Sequence, residues 1–258
     1  MNRIRQCFDR LKSEGRKGFV GYLTAGDPDR DSCLKNIREA IENGVDILEL
    51  GVPFSDPTAD GPTIQAASRR ALASGMNLAG TIEMAREIRR DFDLPIILFG
   101  YVNPLFHYGY RKVCSVAAEA GVDGMLVVDL PFEESPELRD HMAEHGLCLI
   151  PLIAPTTQEK RVELVLREAE GFVYYIMVTG VTGSRSGLAE GIGEHIEGIR
   201  RYTSLPVVVG FGISSGEQAA DAAQGADGAV VGSALIKAAM EGRLASLVSE
   251  IRNGLDGC

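Results

Sequence analysis

Eight short apolar runs alternate with helical patterns along the chain, and this rhythm constrains the fold more than any other feature. The runs are Gly18–Leu23, Asp46–Leu50, Pro95–Gly100, Asp123–Val128, Leu147–Ile153, Phe172–Val178, Pro206–Val209 and Asp227–Val231. They lack the apolar–polar alternation of a half-solvated strand, so they read as parallel strands covered on both faces. Their entries repeat. Asn43-Gly44-Val45-Asp46, Ala120-Gly121-Val122-Asp123 and Gln224-Gly225-Ala226-Asp227 each end a helix with glycine and begin a run, while Leu94-Pro95 and Leu205-Pro206 enter two others. Eight such units without a composition break or linker predict an α/β fold, a single (β/α)8 TIM barrel covering residues 1–258 as one domain. Helical periodicity adds an N-terminal helix over 3–14, two helices after strand two (62–73 and 79–90) and extra helices after strand eight, to about 252. The loop Tyr101-Val102-Asn103-Pro104 is expected to lead into a helix near 109–119, and a Gly-rich loop is expected over 179–193. A doubly wound sheet is the alternative fold. Its one GxG-like stretch, Gly210-Phe211-Gly212, follows strand seven and lacks the third glycine of a dinucleotide fingerprint.

Composition narrows the partners. A net charge of −10 without a basic run disfavours nucleic acid and anionic membranes. The five cysteines, Cys7, Cys33, Cys114, Cys148 and Cys258, form no metal-binding spacing and read as free thiols of a reducing compartment. With no apolar leader and no stretch of membrane length, a cytoplasmic location is expected.

In a barrel of this kind, reactive groups project from the C-terminal ends of the strands. That rule collects Asp27, Glu49, Asp60, Tyr101, Asp129, one of Tyr174 and Tyr175, and Ser233. Glu49 is the most unusual. It shares a strand face with Ile47 and Gly51, and no Lys or Arg lies between Arg38 and Arg69 to pair with it. A rim carboxylate satisfied by backbone donors is one reading; a catalytic carboxyl is the other. No lysine lies in a strand or at its end, and Lys35, Lys112, Lys160 and Lys237 fall in helical patterns, so an imine mechanism lacks its nucleophile. His141 and His145, four apart on a helix, read as a solvated face, and His107 and His195 are isolated. Acid–base work by carboxylates, with a phenol in support, is what remains. Three Gly-rich loops, Gly180-Val181-Thr182-Gly183-Ser184, Gly210-Phe211-Gly212-Ile213-Ser214 and Gly232-Ser233-Ala234, follow strands six, seven and eight. Together they predict a phosphate site built from neutral backbone donors and helix N-termini.

These stretches resemble the tryptophan synthase α chain family. The likeness is carried by Tyr22-Leu23-Thr24-Ala25-Gly26-Asp27-Pro28, Glu49-Leu50-Gly51-Val52-Pro53-Phe54-Ser55-Asp56-Pro57 and Ala59-Asp60-Gly61-Pro62. It continues through Thr179-Gly180-Val181-Thr182-Gly183, Gly210-Phe211-Gly212-Ile213 and Gly232-Ser233, in order along nearly the whole chain. The resemblance implies a lyase of L-tryptophan biosynthesis that cleaves indole-3-glycerol phosphate to indole and glyceraldehyde 3-phosphate. It implies Glu49 as general acid/base, Asp60 as the carboxylate holding the indole N–H, and Tyr174 as a substrate-binding tyrosine. Gly183, Gly212, Gly232 and Ser233 are implied as the phosphate cradle. No cofactor or metal is expected in this chain; a β chain carrying pyridoxal phosphate is the implied partner, in an α2β2 heterotetramer. Thr58, Met177 and Gly21 depart from the residues usual at their places. Rival readings are a stand-alone indole-releasing lyase, a phosphosugar isomerase and a non-catalytic activator of a partner enzyme. The apolar residues Pro53, Phe54 and Pro104 to Tyr108 are expected either to fold over the barrel mouth or to meet the partner.

Overall fold

All strand pairs among the described residues are parallel, and at least one helix separates each strand from the next, except where Cys148–Leu149 runs almost directly into Leu152–Ile153. The computed structural model describes residues 2–176, 185–210 and 212–258, with backbone alone over 185–192. The first half comprises α1 (Arg3–Ser13), β1 (Gly18–Thr24), α2 (Arg30–Glu42), β2 (Ile47–Gly51), α3 (Pro62–Ala73), α4 (Leu78–Asp91), β3 (Ile96–Gly100), α5 (Val102–Tyr108), α6 (Tyr110–Glu119) and β4 (Gly124–Val127). A 3-10 turn (Phe132–Glu134) precedes α7 (Pro136–Glu144), β5 (Cys148–Leu149), β6 (Leu152–Ile153), α8 (Glu159–Leu166), β7 (Val173–Ile176) and α9 (Arg185–Arg200). The chain ends with β8 (Val207–Gly210), α10 (Gly216–Ala223), β9 (Gly228–Val231), α11 (Ser233–Met240) and α12 (Leu244–Asp256).

The sheet order is β5-β4-β3-β2-β1-β9-β8-β7-β6, so its two edges are β5 and β6. Only Ile150 and Pro151 separate them. Ile150 N donates to Met125 O on one side (2.9 Å), and Tyr174 N donates to Pro151 O on the other (2.9 Å). The edges are therefore one run of chain, and the sheet closes into the expected barrel. The predicted fifth strand, Leu147–Ile153, is split because Pro151 has no N–H to continue the ladder.

Two other expectations are corrected. Residues 102–108 are helical rather than loop, because Pro104 sits in the first turn of α5, where a missing N–H costs nothing. The predicted loop 179–193 is helical from Arg185, and the rest of it, 179–184, lies outside the described residues.

The repeated helix-to-strand entry has a physical role. Asp46 accepts the N–H of Phe19 (3.0 Å), Asp123 that of Ile96 (2.9 Å) and Asp227 that of Val207 (2.8 Å). Each carboxylate thus ties its own strand to the start of the preceding one, and each is held by an arginine: Arg252, Arg89 and Arg200 respectively. The arginine stems pass over Gly44 and Gly121, where a Cβ would lie 2.8 and 2.7 Å from Arg252 Cγ and Arg89 Cγ. Both glycines also have positive φ, +124° and +83°. Side-chain bulk would block the clamp, which explains glycine two residues before Asp46 and Asp123.

The N-terminal helix closes the same end of the barrel. Ile4, Cys7, Phe8 and Leu11 recur at helical spacing and are buried against inward-facing Val20, Ile47, Ile97, Leu126, Phe172 and Val230. The Phe8 and Phe172 ring centroids are 5.8 Å apart. Packed side chains fill this end, and the opposite end, at the strand C-termini, contains the cavity.

Candidate active site

Alternation along β2 directs Ile47 and Glu49 inward and Leu48 and Leu50 into the surrounding helices. Glu49 thus lies just above the layer sealed by α1, paired in register with Tyr22 of β1 and Ile97 of β3. It is 0% exposed, and neither carboxyl oxygen has a hydrogen-bond partner among the described residues. The reading of Glu49 as a rim carboxylate satisfied by backbone donors therefore fails. Burial alone pushes its pKa up to about 8, so the neutral acid predominates at pH 7.

Glu49 lines a cavity of about 650 Å³, within the usual range for small-molecule sites. Asp60 lines it as well, from the loop after β2. Tyr101 Oη donates to Asp60 Oδ2 (3.0 Å) and accepts from Ala59 N (3.0 Å), while Gln65 Nε2 donates to Asp60 O (2.9 Å). Burial raises the Asp60 pKa to about 6, partly offset by the Tyr101 hydroxyl. The two carboxyls differ in the way acid–base chemistry uses: one is neutral and one ionised near pH 7.

Tyr174 occupies the inner face of β7 and lines the cavity; Tyr175 faces outward, with its ring centroid 6.2 Å from that of His195. Burial holds the Tyr174 and Tyr22 phenols well above their usual range, so both are neutral donors. Phe99, Val128, Leu152 and Ile64 supply apolar wall. Two other carboxylates of the expected rim are engaged structurally. Asp27 receives a bidentate pair from Arg70 (2.6 and 2.8 Å), and Asp129 accepts the N–H of Val102 at the start of α5 (2.7 Å).

Gly212, Ser214, Gly232 and Ser233 converge on another part of the cavity. Gly212 has φ +61°, which most side chains disfavour. The two helix N-termini expected to help are not equivalent. In α10, the Ser215 hydroxyl accepts from Gln218 N, and Glu250 accepts from Gly216 N (3.0 Å). In α11, the N-cap residue is Gly232, no side chain among the described residues caps the helix, and Gly232, Ser233 and Ala234 of its first turn line the cavity. Gly183 lies outside the described residues, as does Met177. Thr58 is exposed.

A family model for the tryptophan synthase alpha chain matches residues 8–253. The chain belongs to this family. It is 48% identical over 262 aligned positions to the tryptophan synthase alpha chain of Geobacter sp. (strain M21), with 99% of this chain and 98% of that one covered. Among solved structures, it is similar to tryptophan synthase subunit alpha from Legionella pneumophila str. Paris, with a TM-score of 0.92, 36% identity and complete coverage of both chains. A chain of tryptophan synthase from M. tuberculosis matches at a TM-score of 0.91 and 33% identity, covering 99% of each chain.

As a tryptophan synthase α chain, the protein has cavity residues that sequence reading missed. Tyr22 was signalled by its two-residue spacing from inward-facing Val20. Lys237 and Arg243 also line the cavity, although the two last loops contain no cation. The available signal for Lys237 was its position four residues after Ser233, on the same face of α11. Four of the five cysteines are buried and all are free thiols. Among the described residues, no helix is long and apolar enough to cross a membrane.

Proposed function

We propose that Glu49 carries the protons and Asp60 balances the charge in the reaction of this family, cleavage of indole-3-glycerol phosphate to indole and glyceraldehyde 3-phosphate. The chain serves tryptophan biosynthesis as the α subunit. The observation that carries the residue assignment is the buried Glu49 carboxyl, without a hydrogen-bond partner among the described residues and raised to about 8, in one cavity with a second carboxyl raised only to about 6. Carbon–carbon cleavage needs an electron sink, and the indole ring can provide it. Glu49 gives its proton to ring C3, leaving positive charge on the ring nitrogen. Ionised Asp60, accepting the N–H, stabilises that charge. The Glu49 carboxylate then takes the proton of the carbinol hydroxyl. The C–O bond becomes the aldehyde carbonyl, the C3–C bond breaks, and its electrons restore the indole. The acid is ionised only within the cycle, so its burial favours the resting neutral form.

Tyr174 and the apolar wall would hold the bicyclic ring, and Gly183, Gly212, Gly232 and Ser233 the phosphate. Uncapped α11 supports the last two as anion ligands. In this reading residues 1–258 form one cytoplasmic domain with no cofactor of its own. Its partner is a β chain bearing pyridoxal phosphate, in an α2β2 assembly. Indole formation by purified variants tests the roles. Glu49→Gln should lose at least ~10²-fold in turnover while remaining folded. Asp60→Asn should lose less, since the amide oxygen still accepts the N–H. Near-normal turnover in folded Glu49→Gln would remove Glu49 from the chemistry.

A further inference from the structure

We infer that Lys237 supplies the positive charge at the phosphate end of the cavity and sets the preference for a phosphorylated substrate. The inference rests on reading the Gly212, Gly232 and Ser233 region as the phosphate site. Lys237 lines the cavity with those residues. It lies in the second turn of α11, four positions after Ser233, and helical side chains lean towards the N-terminus. One turn of helix rises about 5.4 Å, a span that a lysine side chain covers. The ammonium is therefore carried back towards the uncapped N–H groups that would hold the phosphate.

Among the described residues, no carboxylate pairs with this charge. Lys237 is exposed, and its ammonium forms no hydrogen bond or ion pair among the described residues. The other cation lining the cavity, Arg243, is bound to Glu241. The electrostatic setting makes a free cation useful. The chain carries a net charge of −10, and the cavity itself contains Glu49 and Asp60. An anionic substrate enters against that field, and the loops after β8 and β9 with the helix terminus offer only neutral or partial charges. A full positive charge beside them raises affinity for a phosphate and does nothing for an uncharged indole.

The test compares Lys237→Met and Lys237→Arg with wild type in the full-length chain. Inorganic phosphate serves as competitive inhibitor and indole as the uncharged ligand. Lys237→Met should raise KM for indole-3-glycerol phosphate and the inhibition constant of phosphate together, by roughly fivefold to tenfold, mainly sparing kcat. Indole affinity should be unchanged, Lys237→Arg should restore phosphate affinity, and KM should depend less on ionic strength in Lys237→Met. Wild type inhibited by phosphate, with Lys237→Met inhibited equally, would overturn the role of Lys237 and leave the phosphate site standing. Parallel loss of phosphate and indole affinity would overturn it in favour of a structural role. Wild type that phosphate does not inhibit would refute the phosphate site, and the role of Lys237 with it.

Discussion

At the scale of single residues, a carboxyl without a hydrogen-bond partner in an apolar barrel is a cost to the fold. Burial raises the Glu49 pKa from 4.5 to about 8, so the folded state binds this proton more tightly than the unfolded state. Its contribution to stability is fully present below the unfolded pKa and is lost as pH rises through the folded one. Glu49→Gln removes the titration. Urea unfolding should therefore show the variant gaining on wild type by roughly 2–5 kcal/mol between about pH 4.5 and about pH 8, at about 1.4 kcal/mol per pKa unit. A stability difference that does not vary with pH would contradict the buried neutral acid. Glu49 could be read from sequence because strand alternation and the lack of a nearby cation are both local. Tyr101 as the partner of Asp60 could not, since 41 residues separate them and loop paths are not encoded in periodicity. Lys237 was hidden for a different reason: a lysine in a helix looks the same in sequence whether it faces solvent or a cavity.

At the scale of elements, the Gly-x-Asp entries are clamps between neighbouring strands at the end of the barrel away from the cavity. Asp123 is 3% exposed and holds Ile96 N, Arg89 and Arg3. Asp123→Ala would leave a buried N–H and the mostly buried Arg89 guanidinium without this acceptor, at an expected cost of roughly 3–5 kcal/mol. Asp123→Asn, keeping one acceptor, should cost less. Thermal or urea unfolding measures both, and KM of the folded fraction should stay unchanged. An Asp123→Ala protein as stable as wild type would show that the repeated entry has no clamping role. The repeat was legible in sequence, but its purpose needed the register that brings Asp123 opposite Ile96. Element boundaries were misread where local signals conflict with position. Pro104 looked like a helix breaker but occupies a first turn, and Pro151 looked like part of a strand but interrupts its ladder.

At the scale of the molecule, the apolar rim divides in two. Pro53 and Leu105 are buried and the Phe54 ring packs 5.2 Å from that of Tyr101, so these side chains fold back. Phe106 is 68% exposed on α5, whose N-cap residue is Tyr101, the donor to Asp60. Under the proposed pairing with a β chain, Phe106→Ala should weaken binding of that chain by roughly tenfold or more and leave indole release by the isolated α chain unchanged. Unaltered β-chain affinity would move the interface elsewhere. The central claim is narrower: a neutral Glu49 beside an ionised Asp60 performs the cleavage. The dependence of kcat/KM for indole release on pH tests it most directly, because that ratio reports the free enzyme's essential groups. The expected profile rises with the ionisation of Asp60 near pH 6 and falls with the ionisation of Glu49 near pH 8, and Asp60→Asn loses the acidic limb alone. A rate that stays level through and above pH 8 would contradict the account.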